Sequence, residues 1–260
     1  MERAGNDTIL EVKGIRKHFG GLVAVNRVDL SVRSGEIIGL IGPNGAGKTT
    51  FFNLVGGVLK PSDGRVIFSG EDVTFLRPHE VARRGLVRTF QATVLFKDYT
   101  VMENVIMGRH LHADIGFLQD LFNMSATRRK RNEIHQKAVE IVNFMGLDSY
   151  RDEPAKNLPH GYQRALGIGI ALAAEPKFLM LDEPTSGMNM EEKETIMRLV
   201  SRIRERGVTI LVVEHDMKVI MGLCDRIAVL NFGTKIAEGA PDDIKGNPDV
   251  IQAYLGAEEK

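Results

Sequence analysis

The sequence predicts an α/β fold: a largely parallel sheet with helices on both faces, an antiparallel strand layer near the N-terminus, and an inserted helical segment. Three observations carry this. Continuous apolar runs such as "FLMLD" (178–182) and "VTILVVE" (208–214) suit strands covered on both faces. Stretches with apolar residues at helical spacing lie between them. From about 92 to 164 no strong strand pattern occurs.

In chain order, "TILEV" (8–12) and "LVAVNRVDLSV" (22–32) interleave polar and apolar residues, as antiparallel edge strands do. "EIIGLI" (36–41), "RVIF" (65–68) and "RIAVLNF" (226–232) read as further strands. The stretch 129–146 is expected to be helical, with Ile134, Val139, Val142 and Met145 on one side and Gly146 at its end. The clearest helix is 189–207. Asn189 is placed to cap it, Glu191 and Glu192 complement its N-terminal dipole, and Gly207 stops it. Ile196, Leu199, Val200 and Ile203 form its apolar stripe. This organisation predicts one domain over 1–260, with a core from 1–91 and 165–260 and a helical subdomain over 92–164.

The chain has 260 residues, 43% hydrophobic and 26% charged, which are ordinary globular values. Its formal net charge is zero, so the Lys and Arg surplus of a nucleic-acid binder is missing. The basic run "RRKR" (128–131) reads as a solvated helix face. The single cysteine, Cys224, stands in apolar "IMGLC" and fits a buried thiol in a reducing compartment. "MERAGNDTILEV" is too charged for a signal peptide. The longest apolar stretch, "ALGIGIALAA" (165–174), is far short of the roughly 20 residues that span a bilayer, so a soluble chain is expected.

"IGPNGAGKTT" (41–50) matches the phosphate-loop pattern with Gly42, Gly47, Lys48 and Thr49, after a strand and before a helix. Glycines such as Gly42, Gly45 and Gly47 let the backbone fold around phosphate oxygens. Gly42, Pro43, Asn44, Gly45, Ala46, Gly47, Lys48, Thr49 and Thr50 are thus the candidate ATP-binding residues. Backbone N–H groups from about Asn44 to Thr49 would face the β-phosphate, with the helix dipole behind them. Lys48 is expected to reach the β- and γ-phosphates, and the Thr49 hydroxyl to ligate Mg²⁺. The expected core is a P-loop NTPase.

"FLMLDEP" (178–184) ends an apolar strand in two carboxylates. Asp182 suits the Mg²⁺, and Glu183 at the rim suits a general base beside the γ-phosphate. His215, in "EHD" (214–216), emerges at the same sheet edge if the two strands are parallel, where it could hold the attacking water. Gln91 closes "LVRTFQ" (86–91), and its amide could accept from metal-bound water and donate to an attacking one. Phe19 precedes the phosphate loop by about 23 residues and could stack on adenine or simply pack in the core.

Together, "GPNGAGKTT", Gln91, "LPHGYQR" (158–164), "LMLDEP" and His215 resemble the ATP-binding subunits of ABC transporters over nearly the whole chain. "RTFQ", the 95–110 run, "SGMN" (186–189) and the 237–256 tail are similar to the branched-chain amino-acid importer branch, the LivG type. The resemblance implies ATP and Mg²⁺ as cofactors and an integral-membrane permease as partner, at the cytoplasmic face of the membrane. It also implies a second ATPase subunit, in a hetero- or homodimer, and indirectly a periplasmic or extracellular solute-binding protein. On it Phe19 is the adenine-stacking aromatic, Glu183 the catalytic carboxylate and His215 the switch histidine. Gln91 links the metal site to the permease, and Phe96 and Tyr99 line the groove that takes a permease helix.

The resemblance puts Leu158, Pro159, His160, Gly161, Tyr162 and Gln163 on the signature motif, which caps the ATP held by the partner chain. Pro159 stands where Ser is usual, and losing its hydrogen bond to charge removes about 1.5–3 kcal/mol. His160 replaces Gly, Tyr162 replaces Gln, and Asn189 replaces the Asp of the loop after Glu183. A proline is well tolerated in a helix's first turn, so backbone N–H groups near 160 remain available to the phosphate. The expectation is a heterodimer in which this chain's own hydrolytic set is intact and its signature serves the other site. The alternative functions are a soluble ABC-type ATPase of assembly or repair, and an exporter ATPase, for instance for lipids.

Overall fold

The computed structural model describes residues 8–89, 95–110 and 124–258. β1 (Thr8–Phe19), β2 (Leu22–Arg33), β4 (Asp63–Phe68) and β5 (Glu71–Asp72) make an antiparallel sheet in the order β2-β1-β4-β5. β1 runs seven residues past "TILEV", because shifts in its register with β2 let polar residues continue the ladder.

β3 (Ile37–Ile41), β6 (Leu86–Arg88), β7 (Phe178–Asp182), β8 (Thr209–Val213), β9 (Arg226–Asn231) and β10 (Thr234–Gly239) form the second sheet, ordered β10-β9-β3-β8-β7-β6. Its pairs are parallel except β9 with β10. β6 is three residues long, too short for the sequence pattern to mark it as a strand.

The strand alternation feeds two cores. Ile38, Leu40, Phe178, Met180, Leu211 and Val213 face the antiparallel sheet and α1 (Lys48–Val55). Ile37, Ile41, Leu179, Leu181, Ile210 and Val212 face the opposite way, against helices. All these residues are buried, as the continuous apolar runs require. α2 (Pro78–Arg83) leads into β6.

The helical side contains α3 (Val101–His110), α4 (Met124–Phe144), α5 (His160–Ala173), α6 (Met190–Glu205) and α7 (Met217–Leu223). α8 (Pro241–Lys245) and α9 (Pro248–Glu258) close the chain. Asn189 caps α6 reciprocally: its Oδ1 accepts from Glu192 N–H at 3.0 Å, and its own N–H donates to Glu192 Oε2 at 3.0 Å. Ile196, Leu199, Val200 and Ile203 are the buried residues of α6. Arg202 and Arg206 lie over the Phe144 ring at 4.5 and 3.5 Å and clamp α6 to α4. α5 crosses position 164 without a break. Cys224 is buried, and burial pushes its thiol well above the usual range.

Candidate active site

The site is built where β3 ends. Gly42 leaves the strand at φ +149°, and a Cβ there would stand 2.1 Å from the Leu230 carbonyl oxygen. Gly47 opens α1 at φ +98°, and a Cβ there would stand 2.4 Å from the Ala24 oxygen. Only glycine fits either place. The turn after β9 locks the loop from outside: Gly233 N–H donates to Ala46 O at 2.9 Å, and Gly233 O accepts from Asn26 N–H at 2.8 Å.

α1 starts at Lys48, so the N–H groups of its first turn are open to an anion. Lys48 Nζ is parked on the loop's own carbonyls, 2.5 Å from Gly42 O and 3.0 Å from Pro43 O. Burial holds its pKa below the usual amine range, against an opposing pull from Glu183. A phosphate would supply the counter-charge that this burial leaves wanting. Thr49 and Thr50 follow in the first turn of α1, and Ala46 is buried beneath the loop.

β7 delivers Asp182 and Glu183. Asp182 is buried, and desolvation raises its carboxyl pKa, partly offset by the Arg88 guanidinium. Arg88 of β6 is held by Asn53 Oδ1 at 2.6 Å and over the Phe52 ring at 5.0 Å. Glu183 has a left-handed backbone, φ 45°, fixed by its N–H donating to Val213 O at 2.9 Å. A glutamate in that conformation costs about 1–3 kcal/mol, which the surrounding sheet edge must hold.

The parallel pairing of Asp182 with Val213 brings the next strand's end alongside. His215 Nδ1 lies 3.9 Å from Glu183 Oε1, with the imidazole exposed. Glu214 is buried and accepts from Thr185 N–H at 2.8 Å and Thr185 Oγ1 at 2.7 Å. It also accepts from His215 N–H at 3.3 Å, so it ties the Glu183 and His215 loops together. Among the described residues no three His, Cys, Asp or Glu side chains gather as a metal cluster. A divalent ion here would therefore depend on phosphate oxygens with Thr49 and Asp182, the hard-oxygen set that Mg²⁺ accepts. The residues present fit that ion.

A glycine cradle, a parked lysine, and carboxylates and an imidazole at one sheet edge are a set suited to a phosphoanhydride. A family model described as ABC transporter matches residues 25–186. The chain belongs to the ABC transporter ATP-binding family. Membership makes it a nucleotide-binding ATPase.

A second model, Branched-chain amino acid ATP-binding cassette transporter, matches residues 234–260 of this cassette. The chain is 43% identical over 249 residues to the high-affinity branched-chain amino acid transport ATP-binding protein BraF of Pseudomonas aeruginosa, covering 95% of this chain and 98% of that one. It superposes with TM-score 0.85 on the ADP conformation of MJ1267, an ABC-transporter cassette, at 31% identity over 96% of this chain and 100% of that one. It matches the dimeric cassette MJ0796 with TM-score 0.75 at 26% identity, over 90% and 99% of the two chains.

In this cassette the structure brings together Lys48, Asp182, Glu183 and His215. Phe19 ends β1 as an exposed residue, 48% accessible, with Lys17 Nζ 5.2 Å from its ring centroid. It is not among the buried residues of either core. Gln91 lies outside the described residues.

Residues 158–163, expected to carry the signature, lead into α5 and fill its first turn. Leu158 is buried and accepts from Gln163 Nε2 at 2.9 Å through its carbonyl. Pro159 is the N-cap and forms no side-chain cap, which leaves the helix N-terminus open. A Cβ on Gly187 would lie 3.6 Å from His160 Cε1, and one on Gly161 would lie 3.3 Å from Glu192 Oε1. Tyr162 tilts against Tyr150 with centroids 5.0 Å apart. His160 and Gly161 thus lie against the loop that follows Glu183 and the first turn of α6.

Sequence reasoning missed Thr185, Arg88 and Tyr254. Thr185 follows "DEP" directly and could have been suspected as a partner for a buried acid at the next strand end. Arg88 lies in "LVRTFQ" (86–91), where nothing in the spacing sets it apart. The Tyr254 hydroxyl of α9 is buried facing the Gly42 N–H, without a fully formed hydrogen bond. Nothing in the tail's pattern marks it.

Proposed function

We propose that the chain is the ATPase subunit that powers an importer of branched-chain amino acids through a partner permease. The observation that carries the mechanism is the parallel register that sets Glu183 and His215 at one edge, 3.9 Å apart. Glu183 takes the proton of the attacking water, and His215 holds the water and the γ-phosphate in line. Lys48 leaves the Gly42 and Pro43 carbonyls for the β- and γ-phosphates. Phe19 stacks on adenine, and the residues 42–50 hold the phosphates. Thr49, Asp182 and, on the family resemblance, Gln91 would hold a Mg²⁺, which would supply counter-charge to the phosphates.

Two such subunits pack head to tail, so residues 158–163 cap the partner's ATP through the open N-terminus of α5. His160 supplies a side-chain donor where Pro159 brings none. The half-exposed Phe96 and Tyr99 receive a permease helix at the cytoplasmic face. No described helix is long and apolar enough to cross a membrane, which fits attachment through that permease. The amino-acid cargo is supported by the BraF likeness and by the match over 234–260.

The test is Glu183→Gln, which keeps the shape and removes the base. Hydrolysis should fall by about 10²–10⁴-fold, while Mg-ATP binding persists and a two-subunit, ATP-loaded species elutes on size exclusion with the second ATPase subunit. If that species never forms in any partner combination, the sandwich and its power stroke are wrong.

A further inference from the structure

Asn104, on α3, is fully buried at 0% exposure and takes no part in the nucleotide site. Its amide is spent on the backbone of a single loop. Oδ1 accepts from Phe96 N–H at 2.9 Å. Nδ2 shares its hydrogens among Phe96 O at 3.0 Å, Tyr99 O at 3.2 Å and Thr100 O at 2.9 Å. Only a side chain that both donates and accepts can close this set.

The loop so held presents Phe96 and Tyr99 edge to face, with centroids 5.7 Å apart and planes at 89°. Its other side is laced to the segment before the signature. Val101 N–H donates to Glu153 O at 3.0 Å, Ala155 N–H to Tyr99 O at 2.9 Å, and Lys156 N–H to Lys97 O at 3.0 Å. Thr100 and Pro154 form an antiparallel bridge, and Lys156 Nζ pairs with Asp98 at 2.8 Å. The same strap then enters buried Leu158, and α5 starts at His160.

We propose that Asn104 is a positioning residue for coupling: it fixes the Phe96–Tyr99 face and, through the 97–101/153–156 strap, transmits a load on that face to the signature. The inference rests on the reading of Phe96–Tyr99 as the permease contact. A push there arrives first at the residues that cap the partner's ATP, because the strap is covalently continuous with them. A residue whose job is only to fill space could be replaced by an isostere without loss, whereas removing the Asn104 amide takes the acceptor from Phe96 N–H and the second donor from Phe96 O, Tyr99 O and Thr100 O.

The experiment compares wild type and Asn104→Leu in the full transporter reconstituted in vesicles. Leucine keeps the branched shape and removes every side-chain bond. Three quantities are read: affinity of the chain for a fluorescent ATP analogue, hydrogen exchange of amides 96–101, and permease-stimulated hydrolysis. We expect affinity within about twofold, faster exchange across the loop, and a stimulated rate about tenfold lower, since each lost bond is worth about 0.5–1.5 kcal/mol. Stimulation at the wild-type rate, with or without loosened amides, overturns the proposal. Should Asn104→Leu fail to fold, Asp98→Lys on the exposed side of the strap replaces it, with an expected loss of about two- to threefold. Undiminished stimulation in that variant likewise overturns the proposal. If wild type itself is stimulated by no permease, the contact reading fails, and this inference falls with it.

Discussion

Replacing Gly42 by alanine tests the cradle most directly. The new Cβ would stand 2.1 Å from Leu230 O and 3.1 Å from Ala46 Cβ, about 1 Å inside the closest approach a close-packed interior tolerates. Leu230 O has nowhere to retreat. β9 is in register with β3 through Ile41 and Val229, and its turn is pinned at Gly233 to both Ala46 and Asn26. The strained backbone costs about 1–3 kcal/mol and the overlap about another 1–3. That is a large share of a net stability of about 5–15 kcal/mol. At about 2–4 °C per kcal/mol, melting should fall by on the order of 10 °C. The control is Gly45→Ala, at φ +78° with no atom within 4 Å of its Cβ, where only backbone strain applies. Calorimetry with and without an ATP analogue reads both effects, and Gly42→Ala should also bind the analogue at least about tenfold more weakly. If Gly42→Ala melts no lower than Gly45→Ala, steric exclusion at this position is not what demands glycine.

Two further outcomes follow from the buried acids. Thr185→Val keeps the shape but withdraws the hydroxyl from Glu214, leaving a buried carboxylate short of a partner. Stability should drop by about 1–3 kcal/mol, and turnover should fall as the Glu183 and His215 loops loosen, while a melting curve unchanged from wild type would remove Glu214 as their tie. Asp182 has a raised pKa because burial disfavours its charge. Its contribution to stability is therefore full below the unfolded carboxyl pKa of about 3.9 and is lost as pH rises through the folded value. Asp182→Asn should melt above wild type at pH 7, lose that advantage in acid, and lose Mg-dependent hydrolysis. A pH-independent difference in melting would sink the assignment.

How far the fold could be read from the sequence depended on how much of each element's structure is local. β3, β7, β8 and β9 are buried on both faces, so their residues must be apolar in unbroken runs, and those runs are visible. α6 carries its cap, stripe and stop within one stretch. β6 was illegible because three residues hold no period, and its place comes from pairing with β7. The second half of β1 was missed because its shifted register lets exposed polar residues stay in the ladder. At the site, Lys48, Asp182 and Glu183 were legible as motif, and His215 as a strand-end residue. Thr185 with Glu214, Arg88 with Asp182, and Tyr254 with Gly42 were not, since each joins segments distant in sequence through a register that only the folded sheet supplies.

The signature departures look like damage when read as a string and like a relocation of function when read in space. Pro159 removes a hydroxyl but sets the helix start, and the N–H groups of α5 remain uncapped by any side chain. His160 and Gly161 rest on Gly187 and Glu192, in the stretch between Glu183 and the first turn of α6. Asn189, where the resemblance leads one to expect Asp, is engaged in capping α6 and thereby stiffens that stretch. Under the head-to-tail arrangement, Glu183 acts on this chain's ATP while His160 and Gly161 face the partner's. The two sites are then joined inside one subunit by a capped loop that begins with a strained glutamate, so closure at one site bears on the geometry of the other without any contact between the two nucleotides.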